Sequence, residues 1–212
     1  MVGRRSSPAL RLRRALATLA WLLVLLIGAR WAWNLPAVQA SIESARLARM
    51  PAPTSLPVPV EGVAARRIAD TWGAARSGGR SHEGVDIFAP RGTPVTSSTR
   101  GVVSQVADRG LGGKQVWVIG PGGERHYYAH LDAFAPGLAR FDRVEAGALL
   151  GFVGDTGNAR GTSPHLHYGI YAIDGAYNPW PLLQAQTRAA EANPTGTAGT
   201  ARANPGSERA KR

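Results

Sequence analysis

The chain of 212 residues contains no cysteine and only five histidines. The absence of cysteine excludes a disulfide framework and a thiolate zinc site, so any metal must be bound by histidine and carboxylate side chains. The absence of cysteine does not indicate whether the protein works in an oxidising or a reducing compartment. The length is sufficient for one ordinary domain with appended segments.

Lysine is almost absent as well. Lys114 and Lys211 are the only two, so arginine supplies nearly all of the net charge of +11. Such a surplus is typical of proteins that bind nucleic acid, anionic lipid or an acidic polymer. Outside the N-terminal cluster the arginines are spread along the chain, and no DNA- or RNA-binding signature accompanies them. We therefore expect no nucleic-acid partner.

Five arginines precede an apolar run over residues 15–29, and Trp31 and Trp33 follow it. Basic residues before such a run keep the N-terminus in the cytoplasm, and aromatic residues are typical of the far interface. This pattern predicts a cytoplasmic segment over residues 1–14 and a single transmembrane signal anchor over residues 15–33. The alternative is a cleaved signal peptide, since small residues at Val38 and Ala40 offer a cleavage site. Both alternatives predict that the rest of the chain is exported, and the anchor predicts an inner-membrane protein facing the periplasm or cell envelope.

The exported part divides by composition into three segments. Residues 34–64 contain a short helical stretch, "SIESARLARM", followed by a Pro-rich stretch that predicts an extended linker. Residues 65–183 alternate glycine turns with short β-branched runs, which predicts an all-β domain, either an antiparallel sandwich or an open barrel. Residues 184–212 are rich in Ala, Gly, Pro and Thr, which predicts a disordered tail.

Two of the five histidines, His165 and His167, stand two positions apart in a strand-like segment. Residues i and i+2 of a strand point to the same face, so we expect the two imidazoles side by side. Such a pair suits a metal site, a proton-transfer pair, or one of each. The alternative is a pair of histidines with no chemical role. Only further candidate ligands elsewhere in the chain can distinguish these possibilities.

Further candidate ligands stand upstream of this pair. His82 and Asp86 form an H-x-x-x-D pair, and Gly84 between them allows a bend that brings the two side chains together. Taken alone this spacing is weak, because a surface ion pair gives the same pattern. His126 and His130 are four residues apart, so within one strand we expect them to share a face, and spacing does not choose between them.

Together these segments resemble the lysostaphin/LytM-type zinc endopeptidases, which cut the peptides of the bacterial cell wall. The matching stretches, within residues 68–183, are "HEGVDIFAPRGTPV", "YYAHLD", "GFVGDTG", "SPHLHYGI" and "YNPWPLL". The resemblance implies that His82, Asp86 and His167 bind Zn²⁺, while His130 and His165 are catalytic and His126 has no role. Two departures from the family are "GLGGKQ" before a predicted strand and Gly169, where relatives often carry glutamate.

Three protein ligands would leave the fourth tetrahedral position open, as a catalytic zinc requires. The chain lacks H-E-x-x-H, so a histidine must take the proton, and His165 beside His167 is well placed. The expected function is a monomeric murein hydrolase that cuts D-Ala–diaminopimelate cross-links or similar stem-peptide bonds of peptidoglycan. The alternatives are a non-catalytic LytM-like adaptor that activates a wall amidase, and a simple wall-binding β-module.

Overall fold

The computed structural model describes residues 8–185. The first seven residues of the predicted cytoplasmic segment lie outside the described residues. So does nearly all of the predicted tail, from residue 186 onward.

The first helix, α1 (Pro8–Trp33), has no buried residue and is long and apolar enough to cross a membrane. At 1.5 Å per residue its 26 residues span roughly 39 Å, more than the hydrocarbon core of about 30 Å. The expected N-terminal apolar helix is therefore present.

The second helix, α2 (Pro36–Leu47), begins five residues before the predicted helical stretch. Pro36 stands in the first turn, where proline is favourable because its missing N–H has no helical partner. Only Asn34 and Leu35 separate the two helices. The buried side chains of Ala40 and Leu47 pack with Val102 of the domain.

Eleven strands follow within residues 8–185, and all their pairings are antiparallel. They are β1 (Ala75–Arg76), β2 (Arg80–Ser81), β3 (Val85–Phe88), β4 (Pro94–Thr96), β5 (Gly101–Asp108), β6 (Lys114–Ile119), β7 (Arg125–Phe134), β8 (Arg143–Val144), β9 (Leu149–Val153), β10 (His165–Ala172) and β11 (Gly175–Tyr177). The strands β1 and β2 form a small hairpin, and the other nine form one sheet with β11-β10-β7-β6-β5-β8 as its main order. The predicted all-β antiparallel class is confirmed.

Strand β10 pairs with three other strands, β3, β7 and β11. One of its edges pairs with β7, and the other pairs first with β3 and then with β11. This arrangement brings the sequence segments that contain His82, His130 and His165 to one place, although they are far apart in the chain.

The Pro-rich stretch packs against the domain and does not extend freely into solvent. Leu56 and Val60 are each 2% exposed and belong to the main hydrophobic core. The Leu56 amide donates to the carbonyl of Leu182, and Val60 forms a β-bridge with Val95. The side chains of Leu56 and Val60 are part of the fold, because they cover apolar surface that the sheet would otherwise expose to water.

His126 lies on the core side of β7 and is completely buried. Its Nδ1 is 2.8 Å from the hydroxyl of Tyr168, and its Nε2 is 3.8 Å from Oε2 of Glu124. Burial lowers the pKa of His126 to about 3 and raises the pKa of Glu124. The imidazole is therefore neutral at ordinary pH.

We expect Leu56→Ala to lower the free energy of unfolding by about 2–4 kcal/mol, since it removes a buried leucine from the core and leaves a cavity. Ile42→Ala on α2 is the control, because Ile42 is 41% exposed and its loss should cost no more than about 0.5 kcal/mol. Denaturant unfolding of the full-length protein measures both. Equal small losses would mean that the Pro-rich stretch is not docked in solution.

We expect His126 to make stability fall as the pH is lowered from about 6.5 toward about 3. The folded pKa is depressed, so the unfolded chain binds the extra proton in this window and folding is penalised there. His126→Gln keeps a polar side chain but does not titrate, so its unfolding free energy should depend less on pH over the same window. A wild-type and a variant profile of equal slope would contradict the burial of a neutral imidazole.

Candidate metal centre and catalytic cleft

The two histidines of the H-x-H segment lie on one face of β10 and line the same cleft. Leu166 between them points to the other side and is completely buried. The expectation of two imidazoles side by side is met. The cleft has a volume of about 530 Å³.

Antiparallel pairing sets Asp86 of β3 directly opposite His167. The Asp86 Oδ1 lies 3.2 Å from His167 Nδ1 and 3.0 Å from His82 Nε2, and the two nitrogens are 2.8 Å apart. These three side chains form the one group among the described residues whose donor atoms could hold a metal ion together. His82 reaches them from the end of the β1–β2 hairpin, just before β3.

The tautomer of His82 follows from its second hydrogen bond. Its Nδ1 lies 2.7 Å from the carbonyl oxygen of Thr71, which can only accept, so Nδ1 carries the proton. In the neutral ring Nε2 is then the nitrogen free to bind a metal, whereas in the protonated ring Nε2–H donates to Asp86. Sequence reasoning did not find Thr71, because it contributes a main-chain carbonyl and no motif marks its position.

The charge at Asp86 is stabilised by its neighbours. Burial alone would raise the pKa of this carboxyl, but hydrogen bonds with His167 and His82 and the guanidinium of Arg76 hold the pKa well below its usual range. Arg76 forms an ion pair with Oδ2, the carboxylate oxygen that does not face the histidines. Arg76 is one of many arginines in the chain, so nothing in the sequence distinguished it.

Gly84 is required by close packing and not by a special backbone angle. A Cβ at this position would lie 2.7 Å from Cε1 of His167 and 2.6 Å from the carbonyl oxygen of Tyr168. Only glycine lets the segment between His82 and Asp86 pass over the His167 ring. The predicted convergence of His82 and Asp86 is observed, for this steric reason.

His130 enters the cleft from β7, and His126 does not. The backbone of His130 has a φ of +63°, and the pairing register of β7 shifts in the same region. This local reversal interrupts the alternation of the strand, so two residues four apart face opposite sides. The expectation that His126 and His130 share a face is wrong for this reason.

The rings of His130 and His165 are 5.1 Å apart between centroids. The Nδ1 of His130 donates to the carbonyl of Thr156 at 2.8 Å, and the Nδ1 of His165 donates to the carbonyl of Ser163 at 2.8 Å. In either ring, Nε2 is therefore the nitrogen that is left to accept or bind in the cleft. Burial and the proximity of His167 lower the pKa of His130 to about 4.

An aromatic cluster forms the wall of the cleft beside His167. Trp117 stacks on Tyr127 with 4.2 Å between ring centroids, and Tyr171 packs against Trp117 at 5.3 Å. A Cβ at Gly169 would lie 3.1 Å from the Tyr171 ring and 2.9 Å from the carbonyl of Glu83. The glycine that departs from the family pattern thus leaves room for this wall.

The catalytic domain of lysostaphin from Staphylococcus simulans is similar in structure, with a TM-score of 0.50 and 31% identity over 56% of this chain and 92% of that one. The L-Ala–D-Glu endopeptidase of Bacillus subtilis is 41% identical over 129 residues. The DD-carboxypeptidase/endopeptidase Mpg of Neisseria meningitidis is 41% identical over 101 residues. These matches cover 56% and 48% of this chain but only 40% and 21% of the two relatives.

Residues 80–179 match the sequence model of peptidase family M23, and this range contains the whole His82–Asp86–His167 group with His130 and His165. The similarity to lysostaphin extends over nearly all of its catalytic domain. The chain is therefore a member of peptidase family M23.

Proposed function

We propose that this protein is a zinc-dependent endopeptidase that hydrolyses peptide cross-links of bacterial peptidoglycan. The observation that carries the proposal is the convergence of donor atoms from His82, Asp86 and His167 in a cleft that contains two further histidines. The two relatives named above are endopeptidases, which supports a peptidase activity for this chain.

The three donor atoms fit a bound cation. Their separations of 2.8–3.2 Å bring lone pairs of His82 Nε2 and Asp86 Oδ1 toward one another and toward His167 Nδ1. A proton on His167 Nδ1 can satisfy these contacts, and a bound cation in its place would be shared by all three donor atoms. Two imidazoles and one carboxylate without cysteine are the ligand set of a catalytic zinc rather than of a four-ligand structural site.

A bound zinc ion would polarise the scissile carbonyl and make water acidic enough to react near neutral pH. The Thr71 carbonyl would fix the orientation of the His82 ring, as outer hydrogen bonds of metal-ligating histidines do. Arg76 would occupy the second oxygen of Asp86, so that the carboxylate presents one oxygen to the metal.

We assign proton transfer to the two remaining histidines. The Nε2 of His165 is 4.0 Å from Asp86 Oδ1, so it is close enough to the ligand group to take a proton from the attacking water. His130 lies across the cleft from it and is neutral with Nε2 as acceptor. His130 must gain a proton before it can donate to the leaving amine or to the developing oxyanion.

We propose peptidoglycan stem peptides as the substrate, with the D-Ala–diaminopimelate cross-link as the bond cut. These peptides carry several carboxylates, and the guanidinium groups of Arg76 and Arg80 line the cleft. Asp86 already pairs with Arg76, whereas Arg80 is exposed and its guanidinium bonds to Ser77 alone among the residues described. Arg80 is therefore available to attract an acidic peptide.

We propose further that α1 remains as an uncleaved anchor and that the domain faces the periplasm. The alternative cleavage site, at Val38–Ala40, lies inside α2, and Ala40 is packed against the domain with 4% of its surface exposed. A peptidase needs an extended and accessible chain, so a packed helix at this position favours retention of the anchor.

We expect His167→Ala to lose both bound zinc and hydrolysis, because it removes one of three protein ligands. His165→Ala should keep about one zinc per chain, while turnover falls on the order of 10²–10⁴-fold, the usual contribution of a general acid–base group. Metal analysis of the full-length protein in detergent and mass spectrometry of peptides released from purified wall sacculi measure the two effects.

His126→Gln is the matched histidine control, since His126 lies outside the cleft, and it should leave zinc content and turnover unchanged. Loss of zinc from His165→Ala and its retention by His167→Ala would reverse the roles assigned here. A wild-type protein that binds no zinc and releases no peptides would favour the non-catalytic adaptor instead.

We expect the full-length protein to stay in the membrane fraction after high-salt and carbonate washes, at its unprocessed mass. A variant that lacks residues 1–33 should appear in the soluble fraction, because it retains α2 and the domain but not the apolar helix. Fractionation with mass spectrometry tests this expectation. A mature N-terminus at Ser41 would show that the apolar segment is a signal peptide.

A further inference from the structure

His130 has an unusual backbone conformation that the surrounding structure must maintain. Its φ of +63° lies in the left-handed region, which is strained for a residue other than glycine. In an ordinary strand, residue 130 would face the core, like His126 and Tyr128, and the left-handed turn directs it into the cleft. The functional position of the ring therefore depends on whatever holds this turn.

Two glycine-rich loops interlock beside His130. The carbonyl of Gly112, in the loop before β6, accepts the His130 amide at 2.9 Å. The carbonyl of Leu111 in the same loop accepts the amide of Asn158, which lies in the loop between β9 and β10, at 2.9 Å. A Cβ at Gly113 would lie 2.5 Å from Oγ1 of Thr156, so the loops are in contact.

Thr156 connects its own loop to β6 and β7 through three hydrogen bonds. Its hydroxyl donates to the carbonyl of Leu131, the residue after His130, at 2.9 Å. The same oxygen accepts the amide of Lys114 at the start of β6, at 3.0 Å. Its main-chain carbonyl accepts Nδ1–H of His130 at 2.8 Å.

Arg91 fixes the same loop from its outer side. The guanidinium lies 2.7 Å from Oδ1 of Asp155, which precedes Thr156, and 2.6 Å from Oδ1 of Asp132 on β7. The loop is thus attached to β7 at the two residues that follow His130, through Arg91 at Asp132 and through the Thr156 hydroxyl at Leu131. This leaves the Thr156 hydroxyl as the attachment nearest to the ring.

We propose that Thr156 is the positioning residue of His130, and that its side-chain hydroxyl is what holds the Thr156 carbonyl against Nδ1 of the ring. This arrangement fixes the Nδ1–H tautomer and directs the Nε2 of His130 into the cleft. The inference rests on the proposed function of His130. Thr156 does not touch the substrate, and it serves the reaction by orienting the His130 ring.

The test compares Thr156→Val, which keeps the shape but loses the hydroxyl, with Thr156→Ser, which keeps the hydroxyl. We expect Thr156→Val to lower kcat on the order of 10-fold for a soluble cross-linked stem-peptide dimer, because a displaced catalytic group costs rate more than binding. KM should stay within about twofold of wild type on the same reasoning, and zinc content should not change. Thr156→Ser should restore most of the rate.

A second readout does not depend on activity. With only five histidines in the chain, ¹⁵N-histidine labelling of the full-length protein in micelles gives a spectrum in which each ring can be assigned. Wild-type His130 should show a protonated Nδ1 and an unprotonated Nε2, and Thr156→Val should weaken this preference. If Thr156→Val does not fold, the wild-type spectrum still decides, because a His130 ring protonated at Nε2 alone overturns the proposal.

The failure of this inference differs from failure of the proposed function. If His130→Ala is inactive and Thr156→Val turns over like wild type, Thr156 is not the positioning residue, but the catalytic assignment of His130 remains. If His130→Ala is fully active, the proposed role of His130 is wrong, and the inference about Thr156 falls with it.

Discussion

The pairing of β3 with β10 is the constraint on which the rest of the site depends. It sets Asp86 opposite His167 in an antiparallel ladder, and a shift by one residue would turn one of these side chains to the core. The close passage of Gly84 over the His167 ring holds His82 in the same place. Three ligand candidates from distant parts of the sequence are thereby fixed by backbone pairing, before any metal contributes.

Three histidine rings, those of His82, His130 and His165, are oriented by main-chain carbonyls. Thr71, Thr156 and Ser163 each accept an Nδ1–H, one from each of three different rings. In all three rings Nε2 is therefore the nitrogen left for the cleft. The orientation of these rings depends on carbonyl groups in loops. The rings are therefore held only as firmly as those loops are anchored to the sheet.

Much of this arrangement could be predicted from the sequence, and the reasons are local. The period of a strand is enough to put His165 and His167 on one face, and short β-branched runs between glycines are enough for the antiparallel class. The left-handed turn at His130 could not be predicted, because it results from hydrogen bonds with loops that are distant in sequence. His126 and His130 look equivalent until that turn is known.

The Pro-rich stretch shows a second limit of sequence reasoning. A free tether and a strap that lies on the domain share the same composition and the same extended backbone. Only the packing of Leu56 and Val60 distinguishes the two, and the apolar surface they cover is made by strands much later in the chain. Roles carried by main-chain carbonyls, such as that of Thr71, leave no trace in the residue type at all.

The docking of α2 and the Pro-rich stretch also limits how far the domain can lie from α1. A free chain over residues 34–64 could extend roughly 100 Å at about 3.3 Å per residue. The short joint at Asn34 and Leu35 leaves almost none of that length available, since α2 is packed on the domain. If α1 anchors the protein as proposed above, the cleft would stay within about one domain diameter of the bilayer, and only the wall layer nearest the membrane would be within reach.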